Sequence, residues 1–210
     1  TDYLAGRRYP LDLASHLALL HEVRLRSDEF DVLHFHTDML HFPLFESVAS
    51  RTLTTLHGRL DIADLRQAYS RWPMFPLVSI SDRQRLHLPD ANWLETVHHG
   101  ISPQGYRFHA RGDGNYLAFL GRISPETRPD RAIEIAIASG IPIRLAAKVD
   151  RVDREYFEQR IRPMLDHPLV SSIGEIDDDQ KAGFLGNARA LLFPIDWPEP
   201  FRLVMVGAMA

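Results

Sequence analysis

A chain of 210 residues with 45% hydrophobic and 25% charged side chains has the composition of an ordinary globular protein, long enough for one large domain or two small ones. Its net charge of -4 excludes bulk attraction to nucleic acid or to an anionic membrane, so any phosphate recognition must come from a local cluster of cations. The absence of cysteine excludes disulfides and thiolate metal sites. No apolar run approaches the roughly 20 residues of a membrane span, and Thr1–Arg8 lacks an apolar signal-peptide core; the default expectation is a cytoplasmic protein.

Along the chain, helical and strand patterns alternate, which predicts α/β layers around mainly parallel sheets. Residues 11–25 place Leu13, Leu17, Leu20 and Val23 at helical spacing. Short apolar runs at Val32–Phe35, Leu53–Leu56, Leu77–Ile80 and Glu95–His98 are too short for helices and read as buried strands. A second set follows at Tyr116–Leu120, Ile143–Ala147, Val170–Ile173 and Ala190–Phe193, with helical patterns at Pro129–Ser139, Arg154–Leu165 and Asp178–Leu185. Pro129 suits the first position of its helix and Gly140 its end. The polar, Gly-rich segment Arg111-Gly112-Asp113-Gly114-Asn115 separates the two strand sets and reads as an interdomain linker, giving domains 1–110 and 111–210.

The segment Asp196-Trp197-Pro198-Glu199-Pro200-Phe201 runs into apolar Leu203–Val206 and then Ala208-Met209-Ala210. It resembles the donor-sugar loop of retaining GT-B glycosyltransferases (family 4, glycosyl transferases group 1), where a Glu, seven residues and a second Glu form the signature. The resemblance extends through Phe30–His36, Thr54–Arg59, Val78–Ser81, His98–Ile101 and Leu120–Glu126, in order and spacing. It implies two partial Rossmann-like domains with parallel sheets: an N-terminal acceptor-side domain lacking its first strand, and a truncated C-terminal domain binding the nucleotide sugar. It also implies a longer family product, so exposed sheet edges and homo-oligomers formed through them are expected.

The same resemblance implies the site. Arg122, leaving the first strand of the second domain, would clamp the donor diphosphate as a bidentate cation. Relatives add a Lys five residues on, where Thr127 stands here; Arg128 and Lys148 are the substitutes at hand. Glu199 would accept hydrogen bonds from hydroxyls of the transferred sugar, since an ionised carboxylate only accepts. Arg202 replaces a usual Gly, and reads either as a supplied positive charge or as an obstruction. Gly207 replaces the second Glu, which would have held the ribose. His57, after a buried strand and before a Gly turn, would face the sugar or acceptor, with Arg59 and Asp61 as weaker acceptor contacts. His34, His36, Asp38 and His41 invite a metal reading, since His34 and His36 share a strand face. Relatives use no metal, so none is expected, and His36 and Asp38 are read instead as lining for the acceptor pocket. His98 and His99 are read as structural.

These residues imply a hexosyltransferase-like enzyme, working without a cofactor, that moves a sugar with retention from a nucleotide-diphosphate donor to an acceptor the sequence does not name. Thr127, Arg202 and Gly207 would make it an impaired fragment. The alternative is a non-catalytic GT-B-like binding or interaction module. A glycoside hydrolase is disfavoured, because no carboxylate pair stands out as acid and nucleophile, and a sugar-nucleotide epimerase has no support.

Overall fold

The computed structural model describes residues 10–102 and 114–210. The chain divides into two compact units: residues 1–99 with Pro198–Phe201, and residues 100–197 with Arg202–Ala210. Each contains a four-stranded parallel sheet, so the fold is α/β with two Rossmann-like sheets. Most of the Arg111–Asn115 linker lies outside the described residues.

In the first unit, helix α1 (Pro10–Leu25) precedes strands β1 (Leu33–Phe35), β2 (Thr52–Thr55), β3 (Leu77–Ser79) and β4 (Trp93–Thr96), adjacent in that order. Each predicted strand is present, within two residues of its expected start. Three short helices, α2 (Phe42–Phe45), α3 (Ala63–Tyr69) and α4 (Asp82–Arg85), make the crossovers; they are too short to leave a periodic pattern in sequence. They hold an aromatic core in which Phe42 stacks on Phe75 at 4.2 Å and Phe35 on His41 at 3.8 Å.

This unit also buries polar groups. His41 is fully buried, with Nε2 3.0 Å from the Thr54 hydroxyl, and Thr52 donates to the Ala49 carbonyl. Buried polar groups persist where they are paired, which explains how β2 can carry three threonines inside a parallel sheet.

In the second unit the order is β7-β6-β5-β8, with β5 (Leu117–Arg122), β6 (Ile143–Lys148), β7 (Val170–Gly174) and β8 (Ala190–Leu191). Helix α5 (Pro129–Ser139) opens on Pro129 and closes on Gly140, at φ 67. It lays Ala132, Ile133 and Ala136 on Phe119, Ile143 and Leu145. Gly114 hydrogen-bonds the Asn187 carbonyl so closely that a Cβ would collide with it.

The predicted helix at Arg154–Leu165 is instead a composite: α6 (Arg154–Tyr156), a π-helical turn (Phe157–Ile161) and a 3₁₀ segment (Arg162–Asp166). Pro163 has no N–H to continue an α-helical ladder, so the backbone changes pitch there. Helix α7 (Asp178–Gly186) starts from a reciprocal Asp177–Gln180 capping box. Helix α8 (Leu203–Met209) packs against α7 and β8. Among the described residues no helix is long and apolar enough to cross a membrane.

Burial lowers the His41 pKa from 6.5 to about 3. The unfolded chain therefore binds a proton below pH 6.5 that the folded chain refuses. The stabilisation is complete above 6.5 and is lost as pH falls toward 3, by about 1.4 kcal/mol per pH unit. Denaturant titrations at pH 7, 6, 5 and 4 should show this slope, reduced in His41→Phe by one proton's worth. Equal slopes in the two proteins would refute it.

Candidate functional site

Parallel strands end together, so the residues that follow them collect along one edge of each sheet. In the first unit that edge carries histidines. Strand β1 buries Leu33 and Phe35 and leaves His34 exposed; the next exposed residue is His36. His36 Nδ1 lies 2.7 Å from His57 Nε2, and His57 Nδ1 lies 3.3 Å from His99 Nε2. The His57 and His99 rings are parallel at 5.1 Å. His34 rests on His36 at 4.4 Å and bonds the Thr55 hydroxyl. Desolvation, then the neighbouring imidazoles, lower the His57 pKa.

His57 is held from below by a residue that the sequence reading missed. Gln84 is buried; its amide donates to the carbonyls of Leu56 and Gly58, on either side of His57, and its oxygen accepts from Ile80 N–H. Ser81 caps the same helix, α4, by accepting from Gln84 N–H. The Ser81-x-x-Gln84 spacing is that of a helix start, and it was the available signal.

The segment Pro198–Phe201 belongs to this unit. Phe201 meets His99 edge-on at 5.5 Å and stacks on His98 at 5.9 Å, and Glu199 beside it is half-buried. His98 Nδ1 donates to the Ile80 carbonyl. Arg59 and Asp61 form a bidentate pair, at 2.8 Å for both bonds, and that pairing chiefly lowers the Asp61 pKa.

The His34, His36, Asp38 and His41 group is split: the first two are exposed, and the other two are buried. Asp38 has a left-handed backbone, φ 50, and burial raises its pKa; it faces the core rather than an open pocket. No set of three or more metal-capable side chains converges among the described residues.

In the second unit the edge carries cations. Arg122 and Lys148 are register partners at the ends of β5 and β6. Asp150 sits with both, 3.1 Å from Lys148 Nζ and 3.7 Å from Arg122 Nη1. The hydrogen bond to Asp150 chiefly raises the Lys148 pKa, with Glu175 adding to it.

The loop after β5 is knotted by Thr127. Its hydroxyl donates to the Arg122 carbonyl at 2.7 Å and accepts from Ser124 N–H, and the residue is 1% exposed. The Thr127 side chain is therefore interior and closes the turn after Arg122. Arg128 forks onto buried Asp130 and reaches Asp196, while Tyr156 donates to Asp130. This ties α5 to the start of the Glu199 loop, and Asp196 N–H adds a bond to the Glu126 carbonyl. The cost is a left-handed Arg128, φ 53.

Arg202 stands at the N-cap position of α8 with an extended backbone, φ -127, which needs no glycine. Its guanidinium lies over Trp197 at 5.8 Å and Phe193 at 5.5 Å. Gly207 is buried, so a longer side chain there would enter packed structure.

No family model matches the chain, and neither does any curated protein. Solved structures do. AviGT4, a glycosyltransferase involved in avilamycin A biosynthesis, is 23% identical with a TM-score of 0.63, over 90% of this chain and 56% of that one. A sucrose-phosphate synthase from Thermosynechococcus elongatus is 15% identical with a TM-score of 0.68, over 86% and 54%. The catalytic domain of starch synthase IV from Arabidopsis thaliana, bound to ADP and acarbose, is 13% identical with a TM-score of 0.60, over 91% and 57%. The chain thus spans just over half the length of each, and the likeness gives it a GT-B glycosyltransferase fold.

Two substitutions test the scaffolds. Thr127→Lys should destabilise the second unit by about 1–3 kcal/mol, since it removes the loop's hydroxyl knot and buries an ammonium; a stable variant with tighter anion binding would overturn this account. Gln84→Leu strands two carbonyls and one N–H and should cost a similar ~1–3 kcal/mol, with the His57 ring resonances shifted in NMR spectra. Unchanged His57 resonances would show that Gln84 does not position it.

Proposed function

We propose that the chain is part of a glycosyltransferase that transfers a sugar, with retention, from a nucleotide-diphosphate donor. The carrying observation is the pairing of Arg122 with Lys148 at the carboxyl edge of adjacent parallel strands. Breaking the bond between sugar and diphosphate builds negative charge on the leaving group, and pre-placed cations stabilise it without reorganising. Arg122 offers two parallel donors to phosphate oxygens and Lys148 a compact charge. Lys148 thereby takes the place of the lysine that position 127 does not supply. Arg202, poised at the start of α8, adds a third positive charge to the same unit. Glu199 accepts hydroxyls of the transferred sugar, and the histidine edge of the first unit takes the acceptor. Same-face substitution fits this set, because the leaving diphosphate assists the incoming hydroxyl and no protein nucleophile is required.

Asp150 competes with the donor for these cations. It satisfies both cations, and an incoming diphosphate must displace it. A second reading, a non-catalytic binding module, is favoured by one observation: position 207, where relatives hold the ribose, is a buried glycine.

Calorimetric titration with uridine, guanosine and adenosine diphosphates tests the proposal. One of them should bind. Arg122→Ala and Lys148→Ala should each weaken it by about 10- to 100-fold, and Asp150→Asn should tighten it. All three effects should shrink as salt rises, because the groups are exposed to screening. Binding that ignores Arg122 and Lys148 would sink the donor site; binding without any sugar transfer to a panel of acceptors would select the module.

A further inference from the structure

The bonding of His57 changes what it can do. Both of its ring nitrogens are taken, Nε2 by His36 and Nδ1 by His99. A hydroxyl ligand would find no free nitrogen on His57. The open ends of the chain are His36 Nε2, on an exposed residue, and His99 Nδ1, on a half-buried one. Among the described residues neither has another hydrogen-bond partner.

A neutral imidazole carries one N–H, so it donates through one nitrogen and accepts through the other. Two bonds joining three neutral rings leave only two arrangements. In one, all three rings carry hydrogen on Nδ1: His36 donates to His57, His57 donates to His99, His99 Nδ1 is an open donor and His36 Nε2 an open acceptor. In the other, all three carry it on Nε2 and every role reverses. A mixed set would require His57 to lack both hydrogens or to hold two. The first is an anion. The second is an imidazolium, which is opposed by the burial and the three neighbouring histidines that lower the His57 pKa.

We infer that His36, His57 and His99 form one tautomer-locked unit, in which His36 Nε2 and His99 Nδ1, and not His57, are the atoms that meet a hydroxyl-bearing ligand. While neutral, the unit always offers one donor and one acceptor, on opposite ends. A hydroxyl both donates and accepts, so either end suits it in either state. His57 is then a positioning residue. The choice of ligand rests on the acceptor role given to this unit above; the shared tautomer does not.

His99 is half-buried, with Phe201 edge-on at 5.5 Å, and His36 is exposed. His36 Nε2 is therefore the more accessible contact, and what it offers is set two rings away at His99. Beside the chain, His34 lies against His36, His98 has its Nδ1 occupied by the Ile80 carbonyl, and Glu199 is half-buried next to Phe201.

Long-range nitrogen–proton NMR of the 210-residue chain at pH 8 reads each ring's tautomer without any ligand. His98 serves as the internal reference, since donation to a carbonyl fixes its hydrogen on Nδ1. His36, His57 and His99 should report one common tautomer, or one common ratio if both arrangements are populated. In His36→Phe, a change at an exposed position, the ratio at His99 should shift although the two rings do not touch. Differing tautomers among the three rings, or a His99 signal indifferent to His36→Phe, would overturn the inference. Neither result bears on diphosphate binding at Arg122 and Lys148, so the two proposals fail separately.

Discussion

Parallel strand pairing is the constraint from which everything else in this molecule follows. A parallel ladder sends every strand the same way, so the chain must leave each sheet along one edge and return through a crossover. In the first unit His36, His57 and His98–His99 lie just past the ends of β1, β2 and β4. In the second, Arg122 ends β5, Lys148 ends β6, and Asp150 and Glu175 follow within two residues of β6 and β7. Register turns this general tendency into specific neighbours: Arg122 opposes Lys148 because Leu117 opposes Ile143 five residues earlier. A one-residue slip would send one of these cations to the opposite face of the sheet.

Edges alone would leave these side chains on loose loops. Each unit spends a buried polar residue to fix its loop. Gln84 closes three backbone bonds around His57, and Thr127 closes the turn after Arg122. Both are satisfied on every side, which is what allows a polar group to be buried at little cost. The left-handed Arg128 belongs to the same economy of constraint. A strained backbone persists where its surroundings over-determine it, and here Asp130, Asp196 and Tyr156 do so together.

How much of this was legible in the sequence follows from what each feature depends on. Strands β1 to β8 were legible because each writes a short apolar run bounded by turn residues, even where burial is one-sided, as in β1, or slight, as in β4 and β7. Arg122 and Lys148 were legible as strand-end cations, although their adjacency depends on register, which single-chain patterns do not carry. Thr127 was read only as a position without the lysine, since a missing charge is visible in a sequence and a buried hydroxyl knot is not. Arg202 was read as an obstruction or a spare charge; the extended backbone and the two aromatic rings beneath it are tertiary facts. The histidines were counted one by one, and their chain could not be seen because His36, His57 and His99 are brought together only by the β1–β2 pairing and the run beyond β4.

The two edges differ in kind, and the difference follows from how each group responds to being buried. Arg122 and Lys148 are exposed cations set against one carboxylate, Asp150, and interactions between such exposed charges weaken as salt rises. The imidazoles of the first unit are packed against one another, and the neighbours that desolvate His57 also disfavour its charge. What such rings offer while neutral is directional hydrogen bonding, one donor and one acceptor each. The two edges lie on separate sheets, and each is fixed by its own register and its own buried polar residue.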